Sequence, residues 1–117
     1  MPESVVEQPV EVRRAGGALV LGLSGELDLY AGLRVGPLVD RALRGHPSHV
    51  VVDLTRVTFM DCGGLSLLLR VRGQVARWGG EFAVHCPERR VLRILRYVDL
   101  EEPLRIIEAL PPDGRPR

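Results

Sequence analysis

Apolar runs separated by polar and glycine-rich breaks predict a chain that begins with strands. Residues 10–13 and 18–24 are rich in Val and Leu, and Ala15-Gly16-Gly17 between them is typical of a tight turn, so we predict a β-hairpin. Residues 50–54 form a nearly continuous apolar run, which suits a strand covered on both faces. Residues 58–60 are expected to extend this strand after a break.

Two segments carry apolar residues at helical spacing. Residues 29–43 predict a helix, although Pro37 implies either a kink or a later start. Its predicted apolar face consists of Leu29, Leu33, Leu38, Val39, Ala42 and Leu43. A second helix is predicted from Gly64 to about Trp78, where Gly79-Gly80 ends it.

The remaining segments continue the same alternation of strand and helix. Residues 81–85 are predicted to form a strand, Pro87 marks a helix start that leads to Tyr97, and residues 104–107 predict a short strand or helix. Strands that alternate with helices favour an α/β fold with a mostly parallel sheet and right-handed crossovers. The antiparallel opening hairpin makes the predicted sheet mixed.

Length and composition limit the chain to one aliphatic domain. The 117 residues include 45% hydrophobic but only 4% aromatic residues. We expect a flexible arm at residues 1–9, a domain at residues 10–109 and a disordered tail at residues 110–117. The balanced charge, with 16 basic and 15 acidic residues and a net charge of +1, argues against nucleic-acid binding. Without a leader pattern or a membrane-length apolar run, we expect a cytoplasmic protein with no membrane insertion.

The sequence offers little that resembles catalytic or cofactor chemistry. It has no phosphate-binding glycine loop and no nucleophile-base spacing, so we expect neither an enzyme nor a cofactor. The spacing of its three histidines and two cysteines matches no zinc pattern, so no metal is expected and both cysteines are predicted to be free thiols. An arginine cluster formed by Arg89, Arg90, Arg93 and Arg96 is either a solvated helix face or a surface for an acidic partner.

One junction combines the end of an apolar strand with the start of an apolar helix. Asp61 is placed to cap that helix, and Gly63 and Gly64 would permit a tight turn or close approach of another backbone. Cys62 lies between them. A thiol near a helix N-terminus can be reactive, which leaves open whether Cys62 senses oxidants or simply packs as a small residue.

The junction resembles the motif of the STAS family, the sulphate transporter and anti-sigma factor antagonist domains. Residues 53–69 read DLTRVTFMDCGGLSLLL, where the family motif reads approximately D-L-S-x-[VL]-x-F-M-D-S-S-G-L-x-x-L-L. Residues 25–28, GELD, are similar to the family's G-x-L-D signature, and the resemblance covers about residues 10–109. It implies a STAS-like fold, with a mixed, mostly parallel four- to five-stranded sheet and helices mainly on one face.

The resemblance also implies a function in protein binding. Family members bind a kinase-type anti-sigma factor of the GHKL class, which phosphorylates the serine found at the position of Cys62. By resemblance, Cys62 is the phospho-acceptor equivalent, and a thiol there implies that serine phosphorylation does not switch this chain. The implied partner-binding residues are Glu26, Asp28, Asp61, Cys62, Gly63, Gly64 and Ser66. Tyr30 is a further candidate anchor.

Two other functions remain open at this point. The chain could be the STAS subunit of another assembly, such as a lipid-transport ABC complex or a stress-signalling scaffold. It could also be a nucleotide or redox sensor, since some family members bind nucleotides. Both alternatives retain the same predicted fold.

Overall fold

The computed structural model of the chain describes residues 10–112, which form one five-stranded sheet and four helices. In chain order the elements are β1 (Val10–Ala15), β2 (Ala18–Leu27), α1 (Leu29–Ala42), β3 (His49–Met60), α2 (Cys62–Arg77), β4 (Glu81–His85), α3 (Arg89–Tyr97), α4 (Glu101–Leu104) and β5 (Ile106–Ile107). The predicted arm at residues 1–9 and residues 113–117 of the predicted tail lie outside the described residues.

The strands are arranged in the order β1-β2-β3-β4-β5, so each strand pairs with its neighbour in sequence. β1 is antiparallel to β2, and the other three pairs are parallel. The hairpin turn has Gly16 and Gly17 at positive φ angles of 58° and 81°, which glycine adopts without steric cost. The predicted mixed, mostly parallel sheet is therefore confirmed.

The break expected within the third strand was wrong, because β3 is continuous. The irregularity lies instead in its pairing with β2, where the register shifts between Gly22 and Ser24 and again between Gly25 and Glu26. At both shifts β3 has one residue more than β2, and Gly25 of β2, which lies at the second shift, has a φ of 78°. Polar residues in the middle of β3 are thus accommodated by bulges.

The helices cover one face of the sheet, as the family resemblance implied. Alternate residues of β2 and β3, including Leu21 and Val52, belong to the main core with residues of α1, α2 and α3. The opposite face carries a smaller cluster of Ala15, Ala18, Val20, Val51 and Ala83, against which Ile107 and Leu110 pack. Residues 110–112, which are the first residues of the predicted tail, therefore lie beside this face.

The predicted apolar face of α1 was partly wrong. The helix begins at Leu29 and turns Ala31, Val35 and Val39 into the core, so Leu29 and Leu33 are left exposed. Pro37 lies inside the helix, where it has no N–H to donate to the carbonyl of Leu33, a residue on the exposed side. That carbonyl can bind water, so the helix continues to Ala42.

Candidate functional site

The starts of α1 and α2 lie side by side at the carboxyl ends of two parallel strands. Leu27 at the end of β2 is in register with Met60 at the end of β3, and each strand leads within two residues into a helix. The backbone N–H of Asp61 donates to the carbonyl oxygen of Leu27 at 3.3 Å, which ties the two junctions together. The GELD and DCGG segments, 36 residues apart from Gly25 to Asp61, are therefore neighbours in space.

Both aspartates of these segments cap the helix that follows them. Asp28 Oδ1 accepts a hydrogen bond from the Ala31 N–H at 2.8 Å, and Asp61 Oδ1 accepts one from the Gly63 N–H at 2.8 Å. Such a cap contributes about 1 kcal/mol to stability. The two carboxylates are half-buried, so each combines a structural role with partial exposure at the surface.

Gly63 and Gly64 are the residues that let the two junctions approach so closely. A Cβ atom on Gly63 would overlap the backbone N and Cα of Leu29. A Cβ atom on Gly64 would lie 2.5 Å from the carbonyl oxygen of Leu27 and 2.7 Å from Met60 Cγ. Close approach, one of the two roles considered from the sequence, therefore requires glycine at both positions.

The other predicted site residues surround this junction at the surface. Cys62 is exposed at the first position of α2, and Ser66 is exposed one turn further along the same helix. Glu26 is exposed near the end of β2, in register with Phe59 of β3. Six of the seven predicted partner-binding residues are thus exposed or half-buried around this junction, whereas Gly64 is buried beneath them.

An exposed apolar surface beside Cys62 was only partly foreseen from the sequence. The exposed fractions are 67% for Leu29, 76% for Tyr30 and 68% for Leu33. Leu29 and Leu33 also line a shallow groove of about 150 Å³ between α1 and α2, together with Gly63 and Ser66. Neighbouring exposed apolar side chains of this kind make the surface a candidate interaction site. The sequence carries no local signal for this exposure, because contact with the sheet decides which apolar residues of α1 are buried.

The two cysteines have opposite environments. Cys62 is exposed, whereas Cys86 is buried behind the end of β4. Burial, reinforced by the nearby negative charge of Glu88, raises the pKa of the Cys86 thiol from 9.0 to about 11. A thiol attacks only as its thiolate, so Cys86 is inert at neutral pH.

We therefore expect a thiol reagent to label Cys62 much faster than Cys86 in the folded protein at pH 8, as measured by mass spectrometry of the labelled peptides. Equal labelling rates for the two cysteines would contradict the assignment.

The pKa of Cys86 also predicts that the free energy of unfolding falls between about pH 9 and pH 11, because the thiol ionises there in the unfolded protein but keeps its proton in the folded protein. Cys86→Ala should lose this pH dependence.

The histidines that could be considered as metal ligands do not lie together. His46 stacks on Trp78 with ring centroids 4.5 Å apart, and His49 Nε2 lies 3.4 Å from Glu81 Oε1. Within residues 10–112, no three His, Cys, Asp or Glu side chains are grouped so that they could hold a metal ion. Over the same residues, none of the helices has the length and apolar character required to cross a membrane.

Comparison with known proteins gives a consistent set of similarities. The STAS domain family model matches residues 9–110. An anti-sigma F factor antagonist of Paenibacillus polymyxa is 36% identical over 76 residues, which span 64% of this chain and 65% of that relative's length.

Solved structures show the same fold at lower identity. An anti-sigma factor antagonist from Mycobacterium paratuberculosis superimposes with a TM-score of 0.77 at 21% identity over 86% of each chain. The Bacillus protein SpoIIAA has been solved unphosphorylated and phosphorylated; each form gives a TM-score of 0.65 over 86% of this chain, and 89% and 91% of SpoIIAA, at 18% and 19% identity. These similarities support the predicted STAS-like fold.

Proposed function

The chain belongs to the STAS domain family, and on that basis we propose that it acts as an anti-sigma factor antagonist through the surface at the starts of α1 and α2. The proposed role is binding, not catalysis: the chain would hold an anti-sigma factor and so leave a sigma factor free. Such a partner acts on transcription, which makes the cytoplasm the proposed place of action. The name of the Paenibacillus polymyxa relative supports this choice of partner.

The proposed binding surface combines a polar rim with an apolar centre. The rim contains the residues suggested by the sequence, namely Glu26, Asp28, Asp61, Cys62, Gly63 and Ser66, and the buried Gly64 packs beneath them. The apolar centre is formed by Leu29, Tyr30 and Leu33, whose exposure beside Cys62 is the observation that carries the proposal. Apolar side chains in the middle and polar groups around them are the usual organisation of a protein interface.

The proposed partner is a serine kinase of the GHKL class, and Cys62 makes the interaction insensitive to that kinase. In family members a serine stands at this position and accepts phosphate. A kinase active site that positions a serine hydroxyl does not fit a thiol, because sulfur is larger than oxygen and the pKa of a thiol differs from that of an alcohol. Binding by this chain would therefore persist in the presence of ATP.

A pair of tyrosine substitutions tests the proposed surface. Tyr30 is 76% exposed at the start of α1, and Tyr97 is 88% exposed at the end of α3. We expect Tyr30→Glu to weaken binding to a GHKL-type anti-sigma factor by about a hundredfold, because a charge would be buried in the apolar centre of the interface. Tyr97→Glu, the matched control, should stay within about twofold.

Isothermal titration calorimetry with the purified anti-sigma factor from the same genome provides the measurement. Tyr30→Glu should leave the melting temperature nearly unchanged, since an acidic residue in the first turn of a helix is favourable. Binding that survives Tyr30→Glu would exclude this surface. Failure of the unsubstituted protein to bind any GHKL-type partner would exclude the proposed partner class.

A further inference from the structure

A separate cavity lies between α3 and β5, at the β5 edge of the sheet. Its volume is about 660 Å³, within the range that small-molecule sites usually have. The cavity lies next to the carboxyl ends of β4 and β5, the side of a parallel sheet on which ligands commonly bind. It shares none of its lining residues with the groove between α1 and α2.

Three arginines of α3 line this cavity. Arg89, Arg93 and Arg96 are spaced four and three residues apart, so they lie on one side of the helix, while Val91 and Leu95 enter the core. Arg96 Nε donates to Glu101 Oε2 at 3.1 Å, which fixes its position. Within residues 10–112, neither Arg89 nor Arg93 has a carboxylate within ion-pair distance, so both guanidinium groups can serve a ligand.

A buried histidine adds a polar group to the same wall. His85 is 9% exposed, and its Nδ1 lies 3.2 Å from the carbonyl oxygen of Ile107. A carbonyl only accepts, so Nδ1 carries a proton and donates it. Nε2 makes no hydrogen bond to any of residues 10–112, although the side chain lines the cavity. Cys86 beside it keeps its proton at neutral pH and adds no negative charge.

We propose that this cavity binds a small phosphomonoester. The guanidinium groups of Arg89 and Arg93 would hold the phosphate oxygens, since arginine matches phosphate geometry with paired donors. Nε2 of His85 lies on the same wall and can make a further hydrogen bond to the phosphate group. Leu92, Ile106 and Ile107 provide an apolar wall for the body of the ligand.

The residues that line the cavity also indicate which class of phosphomonoester it would bind. Apart from His85, no aromatic ring among residues 10–112 lines it, so it lacks a surface on which a nucleobase would stack. Glu108 lies on its wall and opposes the arginines. A compact aliphatic phosphomonoester fits these constraints better than a nucleotide does.

The test is a titration of the full chain with glycerol 3-phosphate, followed by ¹H–¹⁵N NMR at constant ionic strength. We expect saturable shifts of amides in residues 85–96 and 106–108, with millimolar or tighter affinity. The double variant Arg89→Gln/Arg93→Gln should weaken binding at least about tenfold, because it removes charge-assisted hydrogen bonds. The matched control Arg72→Gln/Arg77→Gln, on the exposed side of α2, should stay within about twofold. Glu108→Gln should tighten binding.

Three results would overturn the proposal. The first is the absence of saturable shifts up to about 10 mM ligand, well beyond millimolar affinity. The second is equal loss of affinity in the two arginine double variants, which would indicate a non-specific charge effect. The third is equal affinity for inorganic phosphate, which would show that the apolar wall contributes nothing. None of these results depends on the anti-sigma factor.

Discussion

Gly64→Ala is expected to destabilise the protein by about 3 kcal/mol, which is a large fraction of the usual stability of a small domain. The added methyl group would lie 2.5 Å from the carbonyl oxygen of Leu27 and 2.7 Å from Met60 Cγ. The carbonyl oxygen of Leu27 is a backbone atom, so a change of side-chain rotamer cannot relieve the overlap. The end of β2 would therefore have to move away from β3. Urea unfolding, followed by circular dichroism, measures this loss as a lower transition midpoint.

Gly73→Ala in the same helix is the matched control. Nothing lies within 4 Å of a Cβ atom at Gly73, so alanine there should stabilise the protein by up to about 1 kcal/mol through its higher helix propensity. The two substitutions are chemically identical and differ only in their surroundings. Equal effects of the two would contradict the close contact between the junctions.

Under the proposed function, Cys62→Ser is expected to create a phosphorylation switch, and the unsubstituted protein is expected not to be phosphorylated. With a GHKL-type anti-sigma factor and ATP, the serine variant should gain one phosphate group, measured by intact-mass spectrometry, while Cys62 should gain none. The phosphate adds close to two negative charges beside the apolar surface of Leu29 and Tyr30. Binding should then fall by at least about a hundredfold, since an unmatched charge at an interface costs several kcal/mol.

Two further variants define the site of that switch. Cys62→Ala should bind the anti-sigma factor without acquiring phosphate, which separates binding from modification. Cys62→Ser/Ser66→Ala should still be phosphorylated, because the acceptor is expected at position 62. Phosphate on the unsubstituted protein, or on Ser66, would overturn the assignment of Cys62. A serine variant that binds but is never phosphorylated would point to a partner without kinase activity.

Elements specified by local patterns could be predicted well. The hairpin turn at Gly16 and Gly17, the strand at residues 81–85 and the cap at Asp61 all depend on residues close in sequence. Their turn, capping and alternation signals agree with one another, and long-range packing did not override them. The family motif then supplied the placement of the helices on one face, which hydrophobic periodicity alone could not provide.

Features that depend on distant contacts could not be predicted. The spacing of apolar residues in α1 predicted a face that contains Leu29 and Leu33, whereas contact with the sheet selects the face that contains Ala31 and Val35. That choice leaves Leu29 and Leu33 exposed and creates much of the candidate surface. The arginine-lined cavity likewise forms only when residues after α4 return to pair with β4, so the arginines alone gave no sign of it.

The contact of Gly63 with the backbone of Leu29 also affects how the surface can bind. Two helix starts in backbone contact cannot shift independently, so most of their conformational entropy is lost during folding and little remains to be lost in a complex. A partner would then meet a preorganised surface that needs little rearrangement. In such a system, differences in affinity among surface variants arise mainly from the lifetime of the complex, since the rate of encounter changes less.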